Sequence, residues 1–314
     1  MANSLLQVTD LKKYFYQGKA TVKAVDGVTF QIDRNETFGM VGESGSGKTT
    51  VARAVLRLHE PTSGQVVFDG RDVLALPDRE VRALRREMQI IFQDPLSSLN
   101  PMMSVGTIIE DALKIHGIGT RAEREEEVRR LLDLVGVGRK FYHAFPHEFS
   151  GGQQQRVGIA RALALKPRFI VCDEPVSSLD LSIQAQILNL LEELQERFGL
   201  AYLFISHNLK VVEHLSDVVG VMYLGKLVEV GDTEAIYRRP AHPYTQILLA
   251  SAPQMDPGAR SKRILLEGEV PSPIDPPSGC PFHPRCPHRM ARCSEEVPVL
   301  KQIGSGHQAA CFLT

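Results

Sequence analysis

Nine residues, GESGSGKTT at 42–50, constrain this chain more than any other stretch. They follow the apolar run 37–41, which reads as a short buried strand, and they precede Val51, Val55 and Leu58 at helical spacing. Strand, glycine loop and helix is the context that the pattern G-x-x-x-x-G-K-[ST] requires. Gly42, Gly45 and Gly47 let the backbone turn with positive φ, so that the loop, with Glu43, Ser44 and Ser46 between them, can close its N–H groups round an anion. The N-terminus of the next helix adds partial positive charge. Lys48 can reach β- and γ-phosphates, the Thr49 hydroxyl can ligate Mg²⁺, and Thr50 completes the phosphate loop. The competing reading, a glycine-rich turn that happens to carry a lysine, fits neither the full motif nor its flanks.

The rest of the composition narrows the class. A chain of 314 residues is long enough for a large core and two domains. Its formal net charge of −1 gives no overall attraction to nucleic acid or acidic membranes. No apolar run approaches the roughly 18 residues that span a bilayer, and MANSLLQVTD lacks a basic region followed by an apolar one, so a soluble chain without an export signal is predicted. Five cysteines in such a chain point away from structural disulfides and toward metal or reactive thiols.

Upstream of the loop, residues 5–10 and 22–33 read as strands, the second with the period of two of a half-buried sheet. Tyr14, Phe15 and Tyr16 between them are edge-strand filling or, beside a bound nucleotide, a platform for an adenine face. Downstream, 65–68 reads as a strand with a turn at Asp69-Gly70, 78–87 as a solvated helix, and 88–92 as a strand that stops before Pro95 and leaves Gln93 pointing into a loop. From 105 to about 165 the pattern is helical, with Val128, Leu131, Leu132 and Val135 on one face of a charged helix ending at Gly136. Ser150-Gly151-Gly152-Gln153 opens another helix, either as a plain cap or as a second anion-binding terminus.

The apolar strand 169–172 then delivers Asp173 and Glu174 at its carboxyl end, where ligands gather in open α/β sheets. Aspartate there can hold Mg²⁺ and glutamate can orient or deprotonate a water aimed at a γ-phosphate. Cys172 within that strand reads as core. Ile183, Ile187, Leu190, Leu191 and Leu194 mark an amphipathic helix, and the strand 201–205 ends on Ser206-His207, a third polar delivery to the same edge.

Together these stretches resemble the nucleotide-binding subunits of ABC transporters. GESGSGKT (42–49) looks like the Walker A loop, FIVCDE (169–174) like Walker B, and FSGGQ (149–153) like the family signature, with Phe149 in place of the commoner leucine. Gln93 matches the Q-loop, SSLD (177–180) the D-loop and His207 the switch histidine. The resemblance implies an α/β P-loop NTPase fold with an antiparallel β subdomain and an inserted helical subdomain at about 95–165, the nucleotide-binding domain covering 1–241. It implies ATP and Mg²⁺, the ion held through Thr49, Gln93 and Asp173, with Glu174 as catalytic base, Gln93 sensing the γ-phosphate and His207 as the catalytic switch residue. Phe15, with Tyr16 beside it, becomes the adenine platform. Two such domains meet antiparallel, so Ser150, Gly151, Gly152, Gln153 and Asp180 would serve the ATP of a partner, since one helix N-terminus cannot surround a triphosphate. The segment DPLSSLNPMMSV after Gln93 would meet the membrane subunits.

The region 242–314 is proline-rich with few periodic apolar positions, so a packed core is hard to build from its side chains alone. Its cysteines are spaced C-x5-C-x6-C-x17-C, at Cys280, Cys286, Cys293 and Cys311. Four thiolates suit Zn²⁺ or an iron–sulfur cluster equally by chemistry, although the spacing lacks the close pair usual for zinc, and four unliganded cysteines are the remaining alternative. HPYT with GCPFHPRCP resembles the C-terminal region of dipeptide and oligopeptide importer ATPases, some of which carry a [4Fe–4S] cluster on these cysteines. His242, His283, His288 and His307 are weaker ligand candidates. FPHEFSGGQ resembles the second ATPase subunit of such importers, with Gln154 where arginine is usual.

The resemblance implies an ATPase powering peptide import from the cytoplasmic face of the cell membrane, as a peripheral protein. Its partners would be a second homologous ATPase subunit, two membrane permease subunits and, through the complex, an extracytoplasmic solute-binding protein, with no nucleic acid. Importers of nickel chelates or oligosaccharides have similar ATPases. A soluble ABC protein acting on nucleic acid or ribosomes would carry two cassettes, a coiled coil or a basic tail, and an electron carrier would not need the ATP motor.

Overall fold

The computed structural model describes residues 4–18, 20–251 and 269–314. Residues 1–3, 19 and 252–268 lie outside the described residues. The chain divides into two compact units, Met1–Leu74 with Phe204–Thr314, and Ala75–Leu203.

In the first unit β1 (Ser4–Gln17) and β2 (Ala20–Asp33) pair antiparallel, and the alternation Val28, Phe30, Ile32 buries one face. β3 (Thr37–Val41), buried at every position, leads through the glycine loop into α1 (Lys48–Val55). β4 (Ser63–Phe68) and β5 (Arg71–Asp72) complete an antiparallel sheet of order β2-β1-β4-β5. α1 stops short of the expected Leu58. Arg57 takes a φ of 49°, the N–H groups of Leu58 and His59 turn back to the Arg53 carbonyl, and Leu58 is left 43% exposed.

The second unit contains α2 (Asp78–Leu84), β6 (Met88–Ile91), α3 (Pro95–Ser98), α4 (Val105–Ile115), α5 (Arg121–Leu134), α6 (Gly151–Leu163), β7 (Phe169–Asp173) and α7 (Leu181–Phe198). β6 and β7 run parallel, from Met88 opposite Phe169 to Ile91 opposite Cys172. Parallel pairing brings both carboxyl ends to one edge, which places Gln93 beside Asp173 and Glu174. The predicted stripe Val128, Leu131, Leu132 of α5 is buried, with Ile109 and Leu113 of α4 also inside, and α4, α5 and α6 pack on one another. α5 begins with a Thr120–Glu123 capping box and is followed by Gly136 at a φ of 74°.

β8 (Ala201–Ile205) carries the chain back into the first unit. There follow α8 (Leu209–Leu215), β9 (Val218–Tyr223), β10 (Lys226–Asp232), α9 (Thr233–Arg238), α10 (Pro243–Ala250), α11 (Arg292–Glu295), β11 (Lys301–Gly304) and β12 (His307–Ala309). β3 pairs parallel with β9, and the antiparallel ladder β9-β10-β12-β11 extends from it.

The described residues after 241 therefore have more internal order than the composition promised. HPYTQILLA forms α10, with the His242 ring accepting the Tyr244 N–H as cap and Pro243 in the first turn. Tyr244 and Phe282 are completely buried, and with Tyr223 their ring centroids lie 4.7–5.3 Å apart. β12 is tied down by Glu229 of β10, a fully buried carboxylate that accepts from Ala241 N at 2.7 Å, His242 N at 2.9 Å and His307 Nε2 at 2.7 Å.

Candidate functional site

In the first unit the glycine loop is shaped by what presses on it. Gly42 has a φ of 154°, and a Cβ there would stand 2.2 Å from the Met222 carbonyl oxygen. At Gly47, with a φ of 104°, a Cβ would stand 2.1 Å from the Ala24 carbonyl oxygen. Both positions exclude a side chain by contact as well as by torsion. Lys48 is buried, and its Nζ donates to Gly42 O at 2.8 Å, Glu43 O at 2.9 Å and Ser46 Oγ at 3.4 Å. Ser44 and Gly45 are exposed at the tip, and Thr49 and Thr50 are half-buried in the first turn of α1. The loop thus presents main-chain N–H groups and a helix N-terminus, the arrangement that binds phosphate.

Of the three aromatics on β1, Tyr14 is engaged elsewhere. Its hydroxyl donates to Asp26 Oδ1 at 2.5 Å, and burial together with that bond raises its pKa. Phe15 is half-buried, edge-on to His59 at 5.7 Å with Lys13 Nζ 5.0 Å from its centroid, and Tyr16 is 69% exposed. His207 follows β8 and is exposed, while Ser206 beside it is buried and accepts the Asn208 N–H.

In the second unit Gln93 Nε2 donates to Glu174 Oε2 at 3.1 Å. Asp173, at the end of β7, is 2% exposed. Glu174 has a φ of 47°, costly for a residue with a side chain, and its carbonyl accepts from the N–H and hydroxyl of Ser177. Cys172 is completely buried and burial pushes its thiol up, in keeping with a core role. Asp180 is the N-cap residue of α7.

Ser150 caps α6, accepting the Gln153 N–H, while Gln153 Oε1 accepts the Ser150 N–H at 3.0 Å. At Gly152 a Cβ would come 2.4 Å from Ile183 Cγ2, so α7 packs where that side chain would stand. No sequence pattern announces this contact. Gln154, buried, donates to Pro146 O at 2.9 Å and Phe149 O at 3.2 Å and so fixes the turn that leads into α6.

Cys280, Cys286, Cys293 and Cys311 line a single cavity together with His242, His283, His288, Phe282 and Phe312. Two of the sulfurs accept a main-chain N–H, Cys293 from Met290 and Cys311 from Leu313, each at 3.5 Å. Burial pushes the Cys280 thiol up to about 11 and raises Cys286 and Cys311, and the neighbouring thiols add to each rise. Among the described residues no group of three or more His, Cys, Asp or Glu is arranged to hold a metal ion as it stands. His307 is spent on Glu229, and His283 Nδ1 lies 2.9 Å from the Cys280 carbonyl.

Two residues of the C-terminal region that the sequence did not single out reach the glycine loop. Arg285 forms a two-pronged ion pair with the Glu43 carboxylate, and the Tyr244 hydroxyl accepts the Glu43 N–H. More than 200 positions separate these partners, and the only signal was their place inside the HPYT and HPRCP stretches.

The sequence model of the ABC transporter family matches residues 25–177, and that of the oligopeptide/dipeptide transporter C-terminal region matches 228–293. A putative peptide import ATP-binding protein of Brucella ovis is 54% identical over 308 residues, covering 98% of this chain and 97% of the relative. The oligopeptide transport ATP-binding protein AppF of Bacillus subtilis is 50% identical over 320 residues, covering 99% and 97%. Among solved structures, the dimeric post-hydrolysis ATP-binding cassette MJ0796 bound to ADP and Pi superimposes with a TM-score of 0.67 at 28% identity, over 73% of this chain and 98% of that one. CbiO1 of Clostridium perfringens, part of the transporter complex cbiONQ, gives a TM-score of 0.67 at 25% identity, over 80% and 95%. With relatives of 50–54% identity along nearly its whole length and matches to both sequence models, the chain belongs to the ABC transporter ATPases, within the group that carries the oligopeptide/dipeptide transporter C-terminal region.

Proposed function

We propose that this ATPase powers import of dipeptides or oligopeptides through a membrane transporter. The observation that carries the proposal is identity of 50–54% with peptide and oligopeptide transport ATP-binding proteins along nearly the whole chain. In this reading Lys48 and main-chain N–H groups of the loop, other than that of Glu43, which is given to Tyr244, hold the β- and γ-phosphates. Thr49, Gln93 and Asp173 are the proposed contacts of Mg²⁺, which when bound neutralises phosphate charge. Glu174 takes the proton of the attacking water, and the Gln93 amide, 3.1 Å from its carboxylate, sets its direction. His207 reads the γ-phosphate, and Phe15 with Tyr16 takes the adenine face. Ser150, Gly151, Gly152, Gln153 and Asp180 serve the ATP of a partner cassette, a role supported by the likeness to a dimeric cassette.

The proposed partners are a second homologous ATPase, this chain being the second-subunit type, with two permease subunits and an extracytoplasmic solute-binding protein. The described residues contain no helix long and apolar enough to cross a membrane, and attachment at the cytoplasmic face through the permeases is part of the proposal. Residues 1–241 are assigned to nucleotide binding and 242–314 to the extension. To Cys280, Cys286, Cys293 and Cys311 we assign a [4Fe–4S] cluster, with Zn²⁺ as the alternative. Their common cavity and the N–H donors to the Cys293 and Cys311 sulfurs support a thiolate-bound group. Such a group would cross-link the extension and needs no redox partner. Iron and sulfide in anaerobically purified protein, lost on Cys280→Ser, would bear this out, and one zinc per chain would reverse it. The test of function is uptake of a labelled peptide panel, with sugar and nickel-chelate competitors, in cells with and without this chain. Peptide uptake that is equal in both overturns the proposal.

A further inference from the structure

Glu43 lies in the phosphate loop and is held from three directions. Arg285 Nη1 donates to its Oε2 at 2.8 Å and Nη2 to its Oε1 at 3.1 Å. Its main-chain N–H donates to Tyr244 Oη at 2.9 Å, and its carbonyl accepts from Lys48 Nζ at 2.9 Å. The first two partners come from the C-terminal extension, and both are buried, the Arg285 side chain being 5% exposed and Tyr244 fully enclosed. Arg285 is itself fixed: Nη1 lies 3.4 Å from Tyr223 Oη, its guanidinium stands over the Tyr223 ring, and its N–H bonds the Phe282 carbonyl. A buried fork of this kind has one geometry and transmits it to the carboxylate it grips.

A glycine loop binds phosphate through several N–H groups that must point inward together, and the Glu43 N–H, held by Tyr244, anchors the loop from its outer side. Without a brace, ordering the loop subtracts from the binding free energy, and with one the ordering is done in advance. We propose that Arg285 and Tyr244 are positioning residues for ATP binding, through which the C-terminal extension holds Glu43 and thereby the shape of the phosphate loop. The inference rests on the reading of 42–50 as the ATP loop. Because Arg285 lies between Cys280 and Cys286, whatever holds those thiols also holds the brace.

The experiment uses the full transporter carrying Arg285→Ala, Arg285→Lys, Glu43→Ala or the Arg285→Ala/Glu43→Ala pair. Equilibrium binding of a fluorescent ATP analogue is read alongside KM and kcat for ATP. Arg285→Ala is expected to weaken binding about tenfold, equal to about 1.4 kcal/mol, and to raise KM in step, with kcat at saturating ATP within about twofold. A purely structural role would move kcat and the melting temperature instead. Arg285→Lys should recover less than half of the loss, because an ammonium cannot fork. The double variant should bind no more weakly than the weaker single variant, since Arg285 acts through Glu43. Affinity within about twofold of wild type in Arg285→Ala, or losses that multiply in the double variant, would overturn the proposal. Should Arg285→Ala not accumulate folded, Tyr244→Phe removes only the hydroxyl and is expected to cost about threefold in affinity, with unchanged binding overturning the proposal. Lys48→Ala separates the two layers. Lost binding there with none lost in Arg285→Ala refutes the brace alone, and unchanged binding in Lys48→Ala refutes the ATP-loop reading together with it.

Discussion

Glu174→Gln tests the chemistry most directly. The substitution keeps the side-chain volume and leaves an oxygen to accept from Gln93 Nε2, the contact now at 3.1 Å, so the Gln93–Glu174 geometry survives. What is lost is the capacity to take a proton. A positioned general base contributes roughly 10²–10⁴-fold, which at 1.36 kcal/mol per decade is about 3–5 kcal/mol of barrier. Gln93→Ala removes a single exposed hydrogen bond to the same carboxylate, worth about 1 kcal/mol or roughly fivefold in orientation alone. The assembled transporter is assayed for steady-state ATP hydrolysis and, separately, for equilibrium ATP binding. Glu174→Gln should bind ATP at least as well as wild type and turn over at least a hundredfold more slowly. The orienting bond has nothing to direct once the base is gone, so any further slowing in the double variant reports the proposed Mg²⁺ contact of Gln93. A fall of less than about tenfold would refute the base assignment, and a matching fall in ATP binding would show that Glu174 holds the site together instead of acting in it.

Three other outcomes follow from the packing. Cys172, fully enclosed with its thiol raised by burial, should resist alkylation in the folded chain while denatured protein reacts at all five cysteines, as mass spectrometry would show. Burial holds the His242 imidazole down at about 4 against the ordinary 6.5. Between those values the unfolded chain binds a proton that the folded chain does not, so the contribution is full above pH 6.5 and is lost as pH falls toward 4, by at most about 3 kcal/mol. Urea midpoints at pH 7 and 5 should differ accordingly, and less so in His242→Asn, which keeps the cap. Gly152→Ala drives a Cβ into Ile183 Cγ2 and should cost about 1–3 kcal/mol in urea unfolding, with Ile183→Ala as a second change recovering most of it.

What the sequence disclosed and what it hid divide by distance along the chain. The glycine loop, the strand that delivers Asp173 and Glu174, and the capped start of α6 are each written in fewer than a dozen neighbouring residues, because local turn and cap chemistry dictates them. Gln93 was legible as a strand-end residue, and its bond to Glu174 followed once β6 and β7 were known to run parallel. α1 misled by three residues, since nothing in the apolar spacing through Leu58 reveals that Arg57 turns left-handed. The extension was underestimated for another reason: its order comes from a few large rings and one buried carboxylate, Glu229, with partners scattered over the chain, and hydrophobic periodicity cannot register such packing. Arg285 and Glu43, 242 positions apart, could be joined only in three dimensions.

Lys48 carries three protons, and the loop already offers each an oxygen, at Gly42, Glu43 and Ser46. A ligand that recruits this ammonium must outbid neutral oxygens at hydrogen-bonding distance, so the lysine contributes only the margin between a phosphate anion and a peptide carbonyl. That margin grows with the charge on the ligand and shrinks toward nothing for an uncharged one. The lysine therefore acts as a graded discriminator of charge: it adds almost nothing for a nucleoside and most for a polyphosphate.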